Sequence, residues 1–359
     1  MPTLSCGGAE RVGAAMANYW VEQGNEVSLI TFDDPQSSPF YELSAKLCHM
    51  KLGLFNQSGN LFEGARNNFI RIRSLRSMFR ARKADVIVSI IGRSNIRVLF
   101  AALGLDTPII VFEQIDPARD SLNWLWRTLR LLAYWRAKQI VVLTQSFAEY
   151  FPRYLQKHIQ VIPNPVILTG VSAPRYLPEP NIFKIIAVGR LELQKGFDYL
   201  LQALAELKSS SKNWGLTILG EGSQRQNLEL LCAQLNLTDH VFFAGTVKDV
   251  TTFLKQSDLF ILSSRVEGFP LALCEAMACG VPVITTDCAA SIREIVRDGV
   301  DGIVIPNEDV KALTNAVSEL MSKPEQYQQI SYRASEIIKK LDLPIIMKKW
   351  DKLLNEAVS

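Results

Sequence analysis

The sequence predicts an α/β fold made of two Rossmann-like domains facing each other across a cleft. Three observations carry this expectation. Short apolar runs alternate with helical patterns in both halves, a proline-rich stretch separates the halves, and 359 residues exceed one typical domain. Nearly continuous apolar strands separated by helices indicate parallel sheets covered on both faces.

The elements follow in order. In the first half the strands read "EVSLITF" (26–32), "DVIVSII" (85–91), "PIIVFEQ" (108–114) and "QIVVLTQ" (139–145). In the second they read "FKIIAVGR" (183–190), "GLTILGEG" (215–222), "HVFFAGTV" (240–247), "DLFILSSR" (258–265) and "VPVITTD" (281–287). Between the halves lies "IPNPVILTGVSAPRYLPEP", whose Pro163, Pro165, Pro174, Pro178 and Pro180 disfavour regular structure. This sets an N-terminal domain at 1–165 and a C-terminal domain at 166–359, with the last helix expected to pack back on the first domain. A doubly wound domain opens with a strand running into its Gly-rich loop, but only "MPTLSC" precedes Gly7-Gly8. The chain is therefore expected to start late, and its first sheet to lack part or all of the first strand.

The chain is 48% hydrophobic and 21% charged, which suits a globular protein with a sizeable core. No apolar run approaches the ~18 residues that read as a membrane span, and no secretory leader pattern opens the chain. Cys6, Cys48, Cys232, Cys274, Cys279 and Cys288 follow no zinc or redox spacing and read as reduced thiols. A cytoplasmic protein is expected.

Charge is uneven. Residues 1–170 carry 19 basic and 13 acidic side chains, and residues 171–359 carry 20 and 23. The basic half calls for an anionic partner. Within "ARNNFIRIRSLRSMFRARK" (65–83), which has no acid, Arg66, Arg73, Arg76, Arg80 and Lys83 share one stripe at helical spacing. Such a helix suits an anionic membrane or a lipid diphosphate. "LNWLWRTLRLLAYWRAK" (122–138) adds Trp124, Trp126 and Trp135 among arginines, a composition that fits either ordinary packing or a lipid interface. No nucleic-acid recognition motif accompanies these residues.

In open α/β sheets ligands bind at the carboxyl ends of the strands. "VGRLELQKGF" places Arg190 and Lys195 there, just before a helix, where two cations suit a diphosphate. Alone, the same pair fits solvated surface charge equally well. "GEGSQRQ" offers a Gly-rich turn with Glu221. "SSRVEGFPLALCEAMACG" is more specific: Pro270 suits a helix start, Gly280 its stop, and Glu267 and Glu275 stand seven residues apart. The amides from Gly268 to Leu271, apart from Pro270, are placed to face an anion, and two acceptor-only carboxylates suit polyhydroxyl ligands. Glu275 also fits a half-buried helix residue paired with a cation.

These motifs, with "GGAERV" (7–12), "TPIIVFEQ" and "VIPNPV", resemble the family 4 retaining glycosyltransferases of GT-B fold, most of all those adding α-linked N-acetylhexosamines to undecaprenyl-diphosphate glycans. The resemblance runs over nearly the whole chain. It implies that Arg190 and Lys195 hold the donor diphosphate, Glu275 the ribose, and Glu267 the transferred sugar near its reacting carbon. It further implies that the amides at Gly268, Phe269 and Leu271 complete the diphosphate site, that Glu221 lies at the donor, and that Gly7 and Gly8 allow the other domain to approach. A UDP-sugar donor, a glycolipid acceptor and a peripheral position on the inner face of the cytoplasmic membrane follow from the same resemblance. No Asp-x-Asp occurs, so no metal is expected. Two departures stand out. Glu113-Gln114 ends a strand where relatives often carry histidine after the glutamate, and glutamine cannot carry a proton at neutral pH. Ser291-Ile292 replaces Gly-Pro in "DCAASIREIV", so the loop geometry there is expected to differ. A non-catalytic nucleotide-sugar-binding protein and a nucleotide-sugar epimerase share this architecture and remain the alternatives.

Overall fold

The computed structural model describes residues 1–55, 59–120, 122–168, 182–207 and 213–359; most of the proline-rich segment, 169–181, lies outside them. The chain divides into two compact units: Met1–Pro165 with Leu343–Ser359, and Val166–Asp342. The final helix thus belongs to the first unit.

In the first unit α1 (Gly8–Glu22) precedes β1 (Ser28–Thr31), which pairs in parallel with β2 (Cys48–Lys51). Then come α2 (Leu61–Arg82), β3 (Ile87–Ile90), α3 (Gly92–Ala101), β4 (Ile109–Phe112), α4 (Trp124–Tyr134), β5 (Gln139–Val142) and β6 (Ile159–Val161). The strands β3-β4-β5-β6 form a four-stranded parallel sheet, separate from the β1-β2 pair. Residues 1–6 form no strand. Instead the Met1 ammonium donates to the Ile30 carbonyl at 3.1 Å and Phe32 N–H to the Pro2 carbonyl at 2.9 Å, so the first residues run beside β1 and satisfy part of its edge.

The second unit holds β7 (Phe183–Val188), α5 (Phe197–Leu207), β8 (Trp214–Leu219), β9 (Val241–Gly245), β10 (Leu259–Leu262), α6 (Leu271–Ala278), β11 (Val283–Thr286) and β12 (Ile303–Ile305). Its sheet runs β12-β11-β10-β7-β8-β9, parallel throughout. Leu200, Leu201, Leu204 and Leu207 recur at helical spacing on α5 and bury against Ile185, Leu216 and Ile218 of the sheet. The strand order reverses between β7 and β10, which is where a doubly wound sheet opens a crevice for ligand.

Each of the nine strands read from the sequence is present. The three that were not, β2, β6 and β12, all lie at sheet edges and hold only three or four residues. An edge strand buries fewer side chains, so its sequence carries a weaker apolar signal.

The last helix, α7 (Leu343–Val358), completes the first unit's core. Trp350 is fully buried, its ring centroid 4.9 Å from that of Phe112 on β4 and 6.1 Å from that of Trp20 on α1. Trp20 Nε1 donates to Asp351 Oδ1 at 3.0 Å and fixes the helix rotation. Trp350→Ala should destabilise the first unit by about 3–5 kcal/mol, the usual cost of removing a buried large aromatic. Chemical denaturation followed by near-ultraviolet circular dichroism would measure it.

Candidate active site

The crevice residues come from the two strands that flank the strand-order reversal. From β7 the chain passes Gly189 and Arg190 into a short 3₁₀ turn, Leu193–Lys195, and from β10 it passes Ser263 and Ser264 to Glu267. Lys195 Nζ and Glu267 Oε1 meet at 2.6 Å. Glu267 is 6% exposed, and its Oε1 also accepts from Ser264 Oγ at 2.6 Å. A carboxylate so far removed from water needs these donors, because an unpaired charge there is costly.

Glycines let the loops converge. Gly196 sits at φ +62°, and a Cβ there would fall 2.0 Å from the Ser263 carbonyl oxygen. Gly220 sits at φ +140°, and its Cβ would fall 1.9 Å from the Gly189 carbonyl oxygen. Ser263 Oγ donates to the Lys195 carbonyl at 3.0 Å, which adds a second stitch between the β7 and β10 loops.

The helix α6 opens at Pro270, whose ring suits a position with no N–H to satisfy, and stops at Gly280 with φ +72°. Among the described residues, no acceptor meets the amides of Gly268, Phe269 and Leu271. Ser291 Oγ donates to the Gly268 carbonyl. In a trans peptide the following N–H points the opposite way, so Ser291 aims the Phe269 amide away from itself. The serine that departs from the family pattern thus fixes the loop. Glu275 lies on the second turn of α6 and is 3% exposed. Arg190 is exposed on the β7 loop.

The other candidates have partners of their own. Glu221 is exposed and pairs with Arg225 Nη1 at 2.6 Å, so its loop meets the β7 loop through backbone: Leu191 N–H donates to the Glu221 carbonyl at 2.9 Å. Glu113 is fully buried at the end of β4 and accepts from the Tyr134 hydroxyl. Burial pushes its carboxyl above the usual range, against the Tyr134 hydrogen bond and the Arg130 charge. Gln114 and Asn164 exchange two hydrogen bonds, at 2.9 and 2.8 Å, so the glutamine's amide is committed inside the unit. Gly7 caps α1, and the Tyr41 hydroxyl both accepts from its N–H at 3.2 Å and donates to its carbonyl at 3.0 Å. Gly8 is the first residue of that helix. Among the described residues, no group of three or more His, Cys, Asp or Glu side chains is assembled to hold a metal.

Solved structures share this fold. Sucrose-phosphate synthase from Thermosynechococcus elongatus superposes with a TM-score of 0.83 at 18% identity, over 98% of this chain and 94% of that one. Anabaena HepE, solved with UDP and glucose, gives 0.78 at 17% identity, over 99% and 98%. Two family models divide the chain: Glycosyltransferase Family 4 matches residues 6–169, and Glycosyl transferases group 1 matches residues 175–337. The chain belongs to the family 4 glycosyltransferases, with the GT-B fold. Among curated relatives, an α-1,4-N-acetyl-D-galactosaminyltransferase of Campylobacter jejuni acting on an undecaprenol-diphosphate-linked glycan is 28% identical over 357 residues, 99% of this chain and 97% of the relative. A glycosyltransferase of Haemophilus influenzae is 27% identical over 98% of this chain and 97% of its own length.

Several residues of this glycosyltransferase had no individual signal in the sequence. Ser264 and Ser263 stand inside "SSRVEGFP", yet hydroxyls at a strand end are too common to single out. Asn164 and Tyr134 are recognisable only from what they touch. The basic stripe on α2 also divides. Arg73, Arg80 and Lys83 are exposed, whereas Arg76 Nη1 donates to the Ala101 and Leu103 carbonyls at 2.9 and 2.5 Å. Arg76 therefore satisfies the C-terminal end of α3, where a cation is favoured, and does not face outward as helical spacing alone implied. Gly196→Ala should cost more than about 1 kcal/mol, because alanine resists a left-handed backbone, and should displace Lys195 from Glu267. Thermal denaturation and transferase turnover would both fall; an unchanged melting temperature would contradict the close packing.

Proposed function

We propose that this enzyme transfers a hexose or N-acetylhexosamine, with retention, from a UDP-sugar to a lipid-linked oligosaccharide or polysaccharide intermediate, with an undecaprenyl-diphosphate glycan as the favoured acceptor. The observation that carries the reading is the Lys195–Glu267 pair at the strand-order reversal, with exposed Arg190 on the same β7 loop and the unbonded amides that open α6. The cations and amides match a diphosphate, and the two glutamates match the sugars on either side of it: Glu267 the transferred sugar, Glu275 the ribose. The Campylobacter relative's acceptor and the UDP and glucose in the HepE structure support the same classes of ligand.

In this reading the bond from the anomeric carbon to the diphosphate oxygen breaks as the acceptor hydroxyl attacks from the leaving-group face, and the hydroxyl proton passes to the departing diphosphate oxygen. Negative charge grows on the departing UDP, and Arg190, Lys195 and the amides of Phe269 and Leu271 stabilise it without a metal. With the donor bound, Lys195 turns from Glu267 toward the diphosphate, and the glutamate is released to accept from sugar hydroxyls. Lys195→Ala should lower kcat by about 10²–10³-fold, more than it weakens donor binding. Near-normal turnover would remove Lys195 from this role. Release of UDP only when a glycolipid acceptor is present distinguishes transfer from sensing and from epimerisation.

No described helix is long and apolar enough to cross a membrane. We assign the exposed Arg73, Arg80 and Lys83 of α2 to an anionic lipid surface at the inner face of the cytoplasmic membrane. Trp124 and Trp135, 77% and 70% exposed on α4 and just beyond it, fit the same role. Each cation near such a surface contributes about 1 kcal/mol. Arg73→Glu with Arg80→Glu should abolish binding to phosphatidylglycerol vesicles and spare turnover on a short soluble acceptor. Arg76 is left unchanged because its loss would disturb α3. Unaltered vesicle binding would rule the assignment out.

A further inference from the structure

We propose that Arg265 is the positioning residue that fixes the 193–199 segment, and with it Lys195, at the Glu267 loop. It stands two residues before Glu267, and its guanidinium grips both flanks of Lys195. Nη1 and Nη2 meet the two carboxylate oxygens of Asp198 at 2.8 and 2.7 Å, and Nη1 also donates to the Leu193 carbonyl at 2.6 Å. The guanidinium carbon lies 3.7 Å from the centroid of the Tyr199 ring. The backbone repeats the link: Arg265 N–H donates to the Gln194 carbonyl at 2.8 Å. On its far side Nε donates to Glu308 Oε1 at 2.9 Å, and Asn307 Nδ2 donates to the Arg265 carbonyl at 3.0 Å. Glu308 also accepts from the Tyr199 hydroxyl and sits at φ +62°, a conformation that non-glycine residues rarely adopt. Strain of this kind persists where surrounding contacts fix a residue in place.

The planar fork is spent on Asp198, Leu193 and Glu308, so Arg265 acts on a ligand only through its neighbours. Partly exposed ion pairs contribute little to stability, whereas a bidentate arginine–carboxylate contact fixes geometry. The geometry fixed here is the approach of the 193–199 segment to the Glu267 loop. This inference rests on the donor-site reading of Lys195 given above. It goes beyond that reading by naming the residue that sets the site's spacing.

UDP is the apt probe, because it carries the charge that grows on the leaving group. Isothermal titration of the full chain with UDP would compare wild type, Lys195→Ala, Arg265→Gln and the double variant. Arg265→Gln should weaken UDP binding about tenfold in the wild-type background and less than twofold in the Lys195→Ala background. Equal losses in both backgrounds, or no loss in the first, would overturn the positioning role. Wild-type affinity in Lys195→Ala would instead overturn the donor-site reading, and this inference with it. Should Arg265→Gln fail to fold, Asp198→Asn keeps the arginine, removes the charge of its bidentate partner, and must show the same background dependence.

Discussion

The ion pair between Lys195 and Glu267 is the constraint around which the second unit's functional end is arranged. Both charges are largely withdrawn from water, and the pair survives only because each member has further support. Ser264 donates to the same carboxylate oxygen, and Ser263 anchors the lysine's own carbonyl. The parallel sheet supplies the convergence. With β7 beside β10, two loops that leave the sheet in the same direction cannot cover each other and must open a crevice. Glycine at position 196 removes a side chain that would hold those loops apart, and glycine at 220 does the same between the β7 loop and the loop after β8.

In the first unit the same polar residue types serve another purpose. Glu113 and Gln114 end a central strand, yet both point inward. A buried carboxylate or amide without partners is costly, and here Tyr134 and Asn164 supply them. The Gln114–Asn164 exchange ties the end of β4 to the segment that follows β6. The unit is completed by α7, which returns from the far end of the chain to place Trp350 between Phe112 and Trp20.

The basic face of α2 follows a similar logic. Charge composition and spacing define the stripe, but the neighbours decide which arginines remain outward. Arg76 lies over the end of α3, where unbonded carbonyls attract a donor, while Arg73 and Arg80 are exposed and meet no such acceptor among the described residues.

The sequence by itself determined the alternation of strands and helices, most strands of the three sheets, and the residue types gathered at the strand ends. These follow from local periodicity and from the backbone freedom of glycine and proline, which need no knowledge of the rest of the chain. It also carried the pattern of Glu267, Glu275, Arg190 and Lys195 that leads to the family. The tertiary structure alone decided the partners. Lys195 and Glu267 are 72 positions apart, and Gln114 and Asn164 are 50 apart. Strand order brings each pair together, and it is set by how whole helices and strands bury their apolar faces. No local window contains that information, which is why the short edge strands β2, β6 and β12, the hub at Arg265 and the inward turn of Glu113 become visible only in the folded chain.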